Sequence, residues 1–283
     1  MLQNSLHECI ISSEQPKTLS MDKSTHPRPL ASELKSAILI LSQTLQSLRL
    51  KHAFISHSAI FLHAQAYSLP CLLPSNITIL IQPSPALSAH SLIQILQNNE
   101  YSSTFLIKHK KGIAYPNVII TRPKEDVRGD LLVGFKILDH WTHPQRREAY
   151  DLRLPANSTQ SLIFGTSQIQ IQTMTPSWLL HQKIRRYNSR NPYQEREKHM
   201  DEIDIRTLVD TLEFRGGRKM RFKGREEVDM LKAVVRGMKS DDPGALGGVI
   251  ECLEVFGPWW RVGWVQGIGV LVGVLVLMRM LDF

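Results

Sequence analysis

The chain has 283 residues, 42% hydrophobic and 21% charged, with 34 Lys and Arg against 26 Asp and Glu for a formal charge of +8. That composition supports a sizeable buried core and excludes a wholly disordered chain, while the basic balance and pI near 9.5 favour nucleotides, nucleic acid or anionic lipid as partners. Cys9, Cys71 and Cys252 are odd in number and far apart, which excludes a disulfide framework or a zinc spacing.

Residues 1–30 are polar, carry Pro16, Pro27 and Pro29, and show no apolar period, so they read as a disordered tail. No basic stretch followed by an apolar run marks a secretory signal, and the expected setting is intracellular, cytoplasmic and reducing. The sequons at Asn76 and Asn157 then carry no glycosylation meaning. Leu34, Ile38, Leu41, Leu45 and Leu48 recur at helical spacing and predict a helix over 34–50. A short strand at 53–55 and a helix over 58–67 follow. Ile77–Ile81 is an apolar strand closed by Pro83 and Pro85, and residues 88–97 return to helix. Strands are expected at 104–108, 117–121 and 131–138. Ile169, Ile171 and Thr173 alternate with glutamines, the pattern of a half-exposed strand.

Pro176, after Thr175 as cap, opens a helix to about residue 187, and further helices are expected over 198–212 and 226–238. The order predicts an α/β (α+β) fold: a small mixed sheet with flanking helices over 31–174, then a helical half over 175–257. Residues 258–283 form an apolar C-terminal segment. Within it, residues 262–278 carry no charge and only Gln266 as a polar side chain. With its flanks this segment is long enough for a transmembrane helix. Arg261 and Arg279 can snorkel, Trp259, Trp260 and Trp264 suit an interface, and the glycines at 263, 267, 269 and 273 suit packing in a membrane. The segment reads as a membrane anchor.

Upstream of it lies a basic patch, Arg215, Arg218, Lys219, Arg221, Lys223 and Arg225, with Phe214 and Phe222 interleaved. Three readings stay open: an anionic membrane surface, single-stranded RNA, or a solvated loop. His140 and His143, with Asp139, have a metal-like spacing but no matched ligand pair elsewhere. Ser56, His57 and Ser58 are adjacent and cannot face one another as nucleophile and base. Gly216-Gly217-Arg218-Lys219 lacks the remainder of a phosphate-binding loop.

The succession of helix, short strand "HAFIS", helix, strand "ITILI", further strands and a helical half resembles the minimal nucleotidyltransferase superfamily, above all its abortive-infection-type branch with fungal members. The resemblance covers residues 34–240. It implies that Ser56, His57 and Ser58 stand where the family has a Gly-Gly or Gly-Ser turn before a helix, the place of close phosphate approach. It also implies that Asn76 and Thr78 stand where two Asp residues hold Mg²⁺, and that Lys136 falls near the third carboxylate. Residues two apart on a strand share a face, so the spacing is kept while the charge is lost. "PSWLLHQKI" and "KHMDEIDIRTLV" resemble the family's nucleotide-side helix and the acidic helix after it. They mark Lys183, Asp201 and Asp204 either as a nucleotide pocket or as an ion-paired helix pair.

The expected function is therefore a degenerate nucleotidyltransferase-like protein, a pseudoenzyme acting as a nucleotide- or partner-binding module. Two alternatives stand beside it. One is an active enzyme using Mg²⁺ with Asp126, Asp130, Asp139 or Asp151 as displaced acids. The other is a membrane-tethered interaction protein without nucleotide chemistry.

Overall fold

The apolar stripe Leu34, Ala37, Ile38, Leu41 and Leu45 is buried along helix α1, Ala31–Ser47, which packs on the sheet at β4 and β7, Ile113–Ile120 and Ile169–Met174. In this computed structural model the described residues are 29–98, 100–122, 129–154, 156–164, 169–191 and 193–214, with the short pieces 220–221, 229–230, 233–234 and 253–254. Glu33 closes the first turn of α1 by accepting from the Leu30 N–H at 2.7 Å. Its other oxygen takes Arg122 Nε at 2.8 Å, tying the helix to the end of β4.

The remaining strands are β1 His52–Phe54, β2 Ile77–Ile81, β3 Phe105–Lys110, β5 Leu131–Leu138 and β6 Thr159–Phe164. They form one seven-stranded mixed sheet in the order β3-β4-β5-β2-β1-β7-β6. The hairpins β3–β4, β4–β5 and β6–β7 are antiparallel, as is β1–β2, whereas β2–β5 and β1–β7 are parallel. Parallel neighbours need a crossover connection. For β2–β5 that connection is the whole of residues 82–130, including helix α3, Ala89–Leu96.

Helix α2, Ser56–Ala66, has almost no amphipathic pattern: Ala59, Ile60, Phe61, Leu62, His63 and Ala64 are all buried. A helix apolar all round must be covered on all sides. Here β2, β6 and β7 lie against it, and so do α5, Pro176–Ser189, and α6, Glu195–Phe214. Its buried His63 bonds the Met174 carbonyl through Nε2 at 2.9 Å. One continuous apolar cluster runs from α1 through the sheet and α2 to Ile205, Leu208 and Leu212 of α6.

The mixed α/β fold is as expected, with six α-helices among the described residues, the sixth being the short α4, Arg147–Tyr150. Strand β6 was not expected. Its apolar residues Leu162, Ile163 and Phe164 are bunched at one end, so no alternation shows in the sequence. The helix expected over 226–238 is described only at 229–230 and 233–234, which are helical; Val234 is fully buried and the Met230 carbonyl accepts from Asn188 at 3.0 Å. Among the described residues no helix is long and apolar enough to cross a membrane. The expected anchor, residues 258–283, lies outside them, as do Arg215, Arg218, Lys219, Lys223 and Arg225. Arg221 falls in a two-residue strand, Met220–Arg221, paired in parallel with Leu253–Glu254.

Candidate functional site

A strand that pairs in parallel brings residues of one register onto a shared face, and β2 and β5 do so with Thr78 opposite Lys136 and Ile77 opposite Phe135. One step further along, a Cβ added to Gly134 would lie 3.9 Å from Asn76 Cβ. The face that carries Asn76 and Thr78 therefore carries Gly134 and the exposed Lys136 beside them. A cleft of about 970 Å³ opens above this face, with Asn76, Thr78 and Lys136 in its lining. Helix α2 points its first residues, Ser56 and His57, into the same cleft, and α5 contributes Lys183 and Arg186.

Ser56 has φ 58°, the left-handed conformation that L-residues adopt at a cost of about 1–2 kcal/mol and glycine adopts freely. The backbone thus makes a turn suited to glycine without having one. We expect Ser56→Gly to stabilise the fold by about 0.5–1 kcal/mol, once the greater unfolded-state entropy of glycine is deducted. The urea midpoint measures this. A lower midpoint would mean that the hydroxyl matters more than the strain.

Ser58 is not in the lining. Its hydroxyl is buried, donates to the Ile55 carbonyl at 2.8 Å and accepts from the Thr78 N–H at 3.1 Å. It locks the start of α2 to β2 and so fixes where Ser56, His57 and Thr78 stand.

Beneath the cleft wall, Lys183 is 4% exposed and bonds Asp201 Oδ1 at 2.9 Å. Its ammonium also pairs with Asp204 Oδ2, and His57 Nε2 reaches the same oxygen at 2.9 Å, 3.3 Å from Lys183 Nζ. The His57 tautomer with hydrogen on Nε2 donates to that carboxylate. Asp201 and Asp204 share a face of α6 by their spacing of three, and both are buried, at 1% and 2% exposure. On Asp204, burial pushes the carboxyl upward, but the His57 hydrogen bond and the Lys183 charge outweigh it and hold the group below the usual range. Asp201 also draws Arg190 Nε to 3.3 Å and Arg186 Nε to 3.6 Å. The helix pair is thus a buried ion network at the edge of the cleft.

The opposite wall is the turn Pro144–Arg146 with α4 after β5, and the sequence did not mark it as functional. Arg146 and Arg147 line the cleft there, with Arg146 bonded to the Tyr150 hydroxyl at 3.0 Å and lying over its ring. Arg186 was also missed, although its spacing of three from Lys183 on a helix could have revealed it.

The displaced-acid candidates lie elsewhere. Asp126 is outside the described residues, and Asp130 is exposed at the far end of β5. Asp139 accepts from the Ala89 N–H at 2.7 Å and from the Thr142 N–H and hydroxyl at 2.6 and 2.9 Å. Burial raises that carboxyl, but these bonds together hold it below its usual range. Asp151 is held well below the usual carboxylate range by its paired bonds to Arg153 at 2.9 and 2.7 Å. None of Asp130, Asp139 and Asp151 lines the cleft. His140 is buried and His143 packs edge-on against Tyr150. Among the described residues no three His, Cys, Asp or Glu side chains converge as metal ligands.

A pair of Mg²⁺ ions does not fit the residues present. Asn76 and Thr78 offer an amide and a hydroxyl, with the Lys136 ammonium in register beside them. Hard divalent cations need carboxylate charge, and Lys136 opposes them.

Compared with solved structures, the chain is similar to an antigenic nucleotidyltransferase-like protein from Paracoccidioides brasiliensis. The TM-score is 0.60 at 20% identity, over 78% of this chain and 94% of that one. A second similarity, to the antibiotic-resistance factor ANT(2'')-Ia in solution, has a TM-score of 0.37 at 13% identity, over 72% and 92% of the two chains. No protein-family model and no curated protein matches the chain. The fold is nucleotidyltransferase-like.

Proposed function

We propose that the chain is a degenerate nucleotidyltransferase-like protein that binds a nucleotide or a phosphate-bearing partner in the cleft and does not transfer a nucleotidyl group. The observation that supports this reading is the register of Thr78 with Lys136, a cation beside the neutral pair that the resemblance aligns with the family's metal-holding acids. A cleft of about 970 Å³ is at the upper end of the range for small-molecule sites. Its polar lining includes the N-terminus of α2, which favours a negative group.

The test is the full chain with radiolabelled ATP, CTP, GTP and UTP, with Mg²⁺ or Mn²⁺ and a range of acceptors. No labelled product is expected. Metal-dependent labelling that disappears when Asp130, Asp139 or Asp151 is replaced would favour the active alternative.

A constructive test follows from the register. Asn76→Asp with Thr78→Asp leaves Lys136 in place to neutralise the new charge, so Mn²⁺ affinity should barely change. Adding Lys136→Asp should raise Mn²⁺ affinity about tenfold or more, because carboxylates on one face repel each other until a cation sits between them. Titration calorimetry compares the two variants. Equal affinities would mean that this face is not where the metal-binding geometry lies.

A further inference from the structure

The cleft is one-sided in charge. Among the described residues that line it, Lys136, Arg146, Arg147, Lys183, Arg185 and Arg186 are cationic, and Glu148 is the one acid. Asp201 and Asp204 lie behind the wall and offset Lys183, and Asp201 also faces Arg186 at 3.6 Å, which leaves Lys136, Arg146 and Arg147 as lining cations outside that network. His143 is lowered from its usual value first by burial and then by the charges of Lys136 and Arg146. The hydrogen-bonding groups on the floor, Asn76, Thr78 and Ser56, are neutral and can donate to phosphate oxygens.

We propose that this cleft binds a nucleoside polyphosphate as the metal-free anion, with Lys136, Arg146, Arg147 and Arg186 meeting the charge that Mg²⁺ would otherwise meet. The inference rests on the reading of the cleft as a phosphate site and adds the ionic form of its ligand. Three guanidinium groups and an ammonium arrive from three separate elements, β5, the turn with α4, and α5. Guanidinium groups bind phosphate oxygens in pairs, which fixes orientation as well as charge. The free polyphosphate is more negative than its Mg²⁺ complex and is the better match to this lining. A divalent ion carried in with the phosphates would face Lys136 and the arginines, with Glu148 as the one lining carboxylate against them.

The experiment is calorimetric titration of the full chain with ATP, once in EDTA and once in excess Mg²⁺. Binding is expected in EDTA, with equal or lower affinity in Mg²⁺. Raising the salt should weaken it, since the contacts are exposed charges. Lys136→Ala should weaken binding about fivefold without lowering the melting temperature, and Lys136→Arg should restore it; Arg146→Ala, read under conditions where it is fully folded, should weaken binding to the same extent. Adenosine should bind much more weakly than ATP. Binding that strengthens on adding Mg²⁺, or that ignores Lys136→Ala and Arg146→Ala, overturns the metal-free inference while the cleft remains a nucleotide site. No ATP binding in either condition overturns the underlying reading of the cleft.

Discussion

Lys183→Met will destabilise the protein by about 3–5 kcal/mol at pH 7, lowering the melting temperature by about 10 °C. The ammonium sits between two carboxylates that are 1% and 2% exposed, at 2.9 Å from Asp201 and in direct contact with Asp204. Methionine fills the space but leaves both acids to repel each other out of water. Asp201 retains Arg190 at 3.3 Å and Arg186 at 3.6 Å, whereas Asp204 retains His57 alone among the partners described above. Asp204→Asn added to Lys183→Met should therefore recover part of the loss. A double-mutant cycle reads the coupling directly.

Acid titration should follow the same network. The folded Asp204 carboxyl lies below its usual value, so its stabilisation is fully present above the unfolded pKa of about 3.9. It is lost as pH falls further, through the folded value. In Lys183→Met much of the lowering charge is gone, so the gap between parent and variant should narrow as the pH falls below about 4. Melts at pH 7 and at about pH 3 check both statements. A loss under 1 kcal/mol at neutral pH would mean that the network contributes no more than an exposed ion pair.

Asn157→Ala should cost about 3 kcal/mol and also weaken ligand binding. The buried Asn157 amide donates to the Glu148 carbonyl at 2.6 Å and the Asp151 carbonyl at 2.8 Å, and accepts from Trp178 Nε1 at 3.0 Å. Alanine leaves three groups without this partner. Those bonds also pin α4, which carries Arg147, to Trp178 on α5, so the cationic wall loses its support. Two measurements separate the effects: the urea midpoint for stability, and ATP affinity under conditions where the variant is fully folded. Asn157→Asp keeps the acceptor for Trp178 but sets a buried carboxylate oxygen against the two carbonyls, and should cost at least as much as Asn157→Ala. A variant as stable as the parent would remove Asn157 from this role. The same bonds occupy the side chain that the sequon would offer for glycosylation.

Much of the element order was legible because it is encoded in short windows. Leu34, Ile38, Leu41 and Leu45 betray α1 through spacing, Ile77–Ile81 reads as an apolar strand, and Thr175-Pro176 opens α5, where the Thr175 hydroxyl accepts from the Trp178 N–H. That Asn76 and Thr78 share a face was also visible, since two-residue spacing on a strand fixes a common face. The resemblance put Lys136 near this face, but only the tertiary structure fixed it opposite Thr78, 58 residues away, in a register that depends on how the β2–β5 crossover closes. Tertiary structure alone turned Ser56 to a positive φ and buried Asp201 and Asp204 around Lys183. It also bound residues 144–150 to Trp178 through Asn157. Local periodicity says which face a residue occupies on its own element. Which charges meet across a cleft depends on how distant elements pack, and no window of sequence contains that.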